Sequence, residues 1–133
     1  MTTNARAAYL DASVATASPA RLLVMLFDRL VLDVQRGLEA QRARDHQEMH
    51  RQLTHAQEIV LELQTSLKPD DFKGGYDLAA LYGFLHRQLV MANVRKDATI
   101  TDEVLTLVTD LCDTWRQAAM QCATAPDSLR RGA

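Results

Sequence analysis

SPARLLVMLFDRLVLDVQRGL, residues 18–38, carries a helix start written in its first two letters. A serine hydroxyl accepts a hydrogen bond from an otherwise orphaned N–H of the first turn, so Ser18 reads as a cap. Pro19 follows at the first helical position, where its missing N–H costs nothing. Leu23, Leu26, Phe27, Leu30, Val34 and Leu38 then recur at three- and four-residue steps, the spacing of one helix face. Gly37 interrupts the pattern at a cost of about 1 kcal/mol relative to alanine, which marks a place where another helix comes close.

Three further segments repeat that grammar. Asp45 can cap a second helix whose Met49, Leu53, Ala56, Val60, Leu63 and Leu67 form a narrow stripe, and Pro69 with Gly74-Gly75 ends it. Asp77 can open a third, with Leu78, Leu81, Tyr82, Leu85, Leu89 and Ala92 on one face. The fourth starts at Thr99 or Thr101 and carries Val104, Val108, Leu111, Trp115, Ala118 and Cys122. The expected helices are 19–42, 45–67, 77–95 and 101–124, preceded by a lead at 1–17 and followed by a flexible tail at 125–133. Short breaks between amphipathic helices make neighbours antiparallel. The fold class is therefore all-α: an antiparallel up-down four-helix bundle with a mobile N-terminal cap segment.

The totals narrow the function. A net charge of −2 over 133 residues gives no electrostatic footprint for DNA or RNA. No run is apolar enough for a membrane span, and no signal pattern opens the chain. Cys112 and Cys122 lie on one expected helix, about 15 Å apart along its axis, too far to pair with each other. Free thiols suit the cytoplasm.

Catalytic signatures are missing. There is no Glu-x-x-His pair of the di-iron bundle type, no glycine-rich phosphate loop, no nucleophile elbow and no paired cysteine motif. His46 and His50 sit four apart beside Glu48, which reads as a solvated helix face. Neither a metal nor a cofactor is indicated.

Some apolar residues fall outside the core stripes. At about 100° per residue, Met25 and Leu32 point away from the first helix's core face, with Leu22 at its edge. Leu61 is off the stripe of the second helix, and Phe84 and Met91 are off that of the third. Single exposed apolar side chains are ordinary; two methionines and a phenylalanine at helical spacing suit an adaptable groove for a partner helix. Tyr9, Leu10 and Val14 add apolar weight to a lead that needs none.

Four stretches resemble the flagellar secretion chaperones that bind flagellin, the FliS family: AYLDASVATASPARLLVMLFD from Ala8, AQEIVLELQTSL from Ala56, LAALYGFLHRQLVMANV from Leu78 and DEVLTLVTDLCDTWRQA from Asp102. Val14 and Thr16 to Pro19 are the most specific part. The family commonly reads Met-Leu-Tyr-Asp-Gly on its first helix; this chain has Phe27 and Arg29 where that pattern has Tyr and Gly, changes expected to alter the edge of a groove.

The resemblance implies a cytoplasmic, non-enzymatic bundle that binds the C-terminal segment of flagellin, prevents premature polymerisation and supports its delivery to the flagellar type III export apparatus. It also implies contact between the complex and the cytoplasmic domain of the export gate, without nucleic acid or membrane insertion. The candidate partner-binding residues are Tyr9, Leu10, Val14, Leu22, Met25, Asp28, Tyr82, Phe84, Leu85, Leu89, Met91 and Asn93. The first three are expected to peg a cap over the groove, or else to staple the start of the first helix. Three other readings of the residues stand beside it: a helical adaptor for another regulatory protein, a metal or redox enzyme built in a bundle, and a lone structural bundle.

Overall fold

A computed structural model describes residues 18–124, with side chains to Gln121. Tyr9, Leu10 and Val14, the 125–133 tail and the Cys122 side chain lie outside the described residues. Four helices fill the described chain: α1 Pro19–Arg42, α2 His46–Ser66, α3 Gly75–Arg95 and α4 Ala98–Thr124, with a short 3-10 turn at Pro69–Asp71 between α2 and α3. No strand occurs among the described residues.

The helix starts follow capping chemistry. Ser18 Oγ accepts from the Arg21 N–H at 3.2 Å, and Asp45 Oδ1 accepts from the Glu48 N–H at 3.2 Å. Asp77 does not cap α3. The 3-10 turn and Gly74, at φ +85°, bring the chain into helix at Gly75, so Asp77 sits in the first turn, where the helix dipole favours a carboxylate. Helix α4 starts before Thr99 because Asp97 Oδ1 accepts from the Thr99 N–H at 2.9 Å. Thr101 is consequently buried inside the helix.

α1 packs against α2 and α4, and α3 closes the square against the same two. The pairings show that neighbours run antiparallel. Late in α1, Gly37 meets Leu53 early in α2; Gln41 Nε2 donates to the carbonyl of Ala92, late in α3, at 3.1 Å. The core holds Phe27, Leu30, Val34, Leu53, Val60, Leu85, Leu89 and Val108, all without exposed surface. Phe27 and Tyr82 cross between α1 and α3 with ring centroids 6.4 Å apart. On α4 the buried line runs through Thr101, Val104, Val108 and Cys112, with Leu111 and Trp115 half-buried and Ala118 exposed. That face is turned about one residue from the stripe expected. Burial of Asp33 in the interior is answered by two cations or donors: Arg29 Nε lies 3.0 Å from Oδ1, and His55 Nδ1–H donates to Oδ2 across the α1–α2 contact.

A Cβ on Gly37 would stand 2.6 Å from Leu53 Cδ2. Gly37→Val should therefore lower stability by about 1–3 kcal/mol, measured by urea unfolding. Burial of Tyr82 pushes its phenol up to about 12. An unfolded tyrosine ionises near 10, so between those values the unfolded chain binds fewer protons and stability falls as pH rises. Urea midpoints from pH 9 to 11 should show the fall, and Tyr82→Phe should lessen it.

Candidate functional site

Seven residues of the expected core stripes are only half-buried; five of them, Leu23, Leu26, Leu67, Leu78 and Trp115, line a groove at one end of the bundle, and Leu81 and Leu111 do not. There α1 and α3 begin and α2 and α4 end. An open apolar groove of about 750 Å³ occupies that end. Leu22, Met25 and Leu26 of α1 form one wall. Leu63, Leu78 and Tyr82 form the floor, and Leu67, Lys68, Asp71 and Phe72, around the 3-10 turn, form the opposite lip. Pro19 also lines it, so the groove opens where the chain enters α1. The polar side chains around it, Glu62, Lys68 and Asp71, are exposed at the rim.

The expected site residues do not gather in one place. Leu22, Met25 and Tyr82 share the groove. Leu85 and Leu89 have no exposed surface and lie in the core of this structure, outside the groove lining. They share the α3 face of Tyr82, and periodicity alone does not separate a groove lining from the core beside it. Phe84, 40% exposed, and half-buried Met91 stand on the outer side of α3, about half a turn from Leu85 and Leu89. Asn93 is at the far end of the bundle, its Nδ2 2.9 Å from His50 Nδ1.

Asp28 faces α4, accepting from Arg116 and from the Cys112 thiol at 3.2 Å. Burial, followed by the hydrogen bond to Asp28, pushes the Cys112 thiol up, which favours the protonated form over a reactive thiolate. The two departures at Phe27 and Arg29 lie outside the groove lining: Phe27 is buried against Tyr82, and Arg29 turns to Asp33.

Sequence reasoning missed the lip. Phe72 stands in the break between helices, 44% exposed, where no periodicity marks it. An apolar residue placed between Pro69 and Gly74 was the available signal. The missed wall residues were visible as stripe members, but their shared end becomes apparent only once the helices are laid antiparallel.

The groove offers apolar surface with charge only at its rim, an arrangement suited to holding an amphipathic chain. Among the described residues no three His, Cys, Asp or Glu side chains gather as a metal site. No described helix is long and apolar enough to cross a membrane.

Known proteins share this sequence and architecture. The family model described as flagellar protein FliS matches residues 1–122. The flagellar secretion chaperone FliS of Bacillus subtilis (strain 168) is 32% identical over 115 residues, covering 86% of each chain. That of Escherichia coli (strain K12) is 27% identical, covering 90% of this chain and 89% of its own. Among solved structures, one described as a flagellar chaperone from bacteria superposes with a TM-score of 0.71 at 23% identity, over 91% of this chain and 99% of that one, a likeness of fold. With a family match across nearly its whole length and a relative of that identity, the chain belongs to the FliS family of flagellar secretion chaperones.

Proposed function

We propose that this protein is a cytoplasmic export chaperone that holds the C-terminal segment of flagellin in the groove at the open end of its bundle. The observation that carries the reading is the set of stripe leucines and Trp115 left half-buried around one continuous apolar trench. Burying those side chains stabilises a complex by roughly 25 cal/mol per Å² of apolar surface removed from water. A segment held this way is withheld from filament contacts, which prevents premature polymerisation. Release belongs to the type III export apparatus, where the loaded complex meets the cytoplasmic domain of the export gate. Binding performs the whole task and no catalytic step is required.

An empty groove of this kind invites aggregation. The lead at 1–17 joins α1 at the groove's own margin, through Pro19 and Leu22. In this reading Tyr9, Leu10 and Val14 occupy the groove in the free protein and yield it to flagellin, which lowers the apparent affinity by the cost of opening.

A second reading, an adaptor for another regulatory protein, is favoured by one observation. Away from its core face α3 carries Tyr76, Phe84 and Val94, all exposed, and none of them lines the groove.

Calorimetric titration with the C-terminal segment of the cognate flagellin tests the proposal. One-to-one binding with a negative heat-capacity change is expected, and removal of residues 1–15 should tighten it. Absence of binding to both forms would remove the flagellin assignment. Unchanged affinity on trimming would remove the cap alone.

A further inference from the structure

We propose that the turn between α2 and α3 is a fixed jaw of the groove, with Phe72 the side chain that grips the bound segment and Gly75 the positioning residue that sets where Phe72 stands. The inference rests on the reading of the groove as the flagellin site. The chain leaves α2 at Leu67 and makes a single 3-10 turn, Pro69–Asp71, before the backbone opens to φ −156°, ψ 159° at Phe72. That extended residue ends the turn, and it lines the groove together with Leu22, Met25 and Leu26 of α1. A large aromatic left 44% exposed at the lip of an apolar trench has surface still to bury when the trench is filled. Aromatic side chains in such positions dominate binding energy at interfaces.

The jaw is tied down from behind. A Cβ on Gly75 would lie 2.1 Å from the Pro69 carbonyl oxygen and 2.7 Å from the Pro69 carbonyl carbon. The turn thus rests directly on the first residue of α3, at a separation that only glycine permits. The Gly75 N–H donates to the Phe72 carbonyl at 3.2 Å, and the Asp71 N–H donates to that of Lys68 at 3.0 Å. The Tyr76 hydroxyl donates to the Asp70 carboxylate, linking the first turn of α3 back to the 3-10 turn. These contacts hold a connection that could otherwise swing away from α1. The width of the groove is accordingly set by the backbone contact between Gly75 and Pro69, and the fit of an amphipathic helix of flagellin is set by that width.

The test is calorimetric titration of the full chain with the cognate flagellin C-terminal segment, using wild type, Phe72→Ala, Phe72→Leu and Gly75→Ala. Trp115, the single tryptophan of the chain, also lines the groove, and its emission reports whether the segment occupies the same seat. Phe72→Ala should weaken binding about fivefold or more with its thermal midpoint unmoved. Phe72→Leu should recover most of that loss, and the Trp115 shift at saturation should match wild type. Gly75→Ala should weaken binding too, with faster amide exchange over residues 68–76. Wild-type affinity in Phe72→Ala, beside a wild type that binds, would overturn the jaw while leaving the flagellin reading standing. A silent wild type would overturn both. Should Gly75→Ala fail to fold, the two Phe72 variants decide alone: loss in one and recovery in the other supports the jaw, and equal affinities overturn it.

Discussion

The approach of α1 to α2 at Gly37 governs the shape of everything else. With no side chain there, Leu53 seats against the α1 backbone, and the bundle is drawn shut at that end. Leu30, Val34, Leu53 and Val60 have no exposed surface. The other half of α1 carries full-sized Leu22, Leu23, Met25 and Leu26, which line the open groove.

The closed end is also where polar groups are spent on structure. Asp33 is held by Arg29 and His55, Gln41 reaches the end of α3, and Asn93 meets His50. Burying a carboxylate is expensive unless it is paired, so these contacts commit that end to a single arrangement. In the half that holds the groove, Asp28 of α1 accepts from Arg116 and Cys112 of α4, and the Tyr76 hydroxyl donates to Asp70. The groove itself is bounded by apolar side chains of α1 and α3 and by the turn at Pro69, which rests on Gly75.

Much of this was legible in the sequence. Ser18-Pro19 and Asp45 announced two helix starts by capping chemistry, and both caps form. Three- and four-residue spacing identified Phe27, Leu30, Val34, Leu85 and Leu89 as inward-facing. What periodicity cannot supply is the depth of a side chain along the helix axis. The α3 stripe holds fully buried Leu85 and Leu89 together with half-buried Leu78, which lines the groove, as half-buried Leu26 does in the stripe of α1. On α4, Cys112 took the place given to Leu111, because the face is fixed by neighbours from three other helices and not by α4's own pattern. Phe72 had no helical register to betray it, so its place at the groove emerged only with the folded turn.

The central claim, that the open end is the seat of flagellin's C-terminal segment, is tested most directly by amide hydrogen exchange of the free and loaded protein. The account predicts that the segment slows exchange in residues 19–26, 63–72 and 76–82, and leaves residues 46–55 at the closed end unchanged. Slowed exchange confined to the outer side of α3 toward Arg95, with the groove segments unaltered, would contradict it.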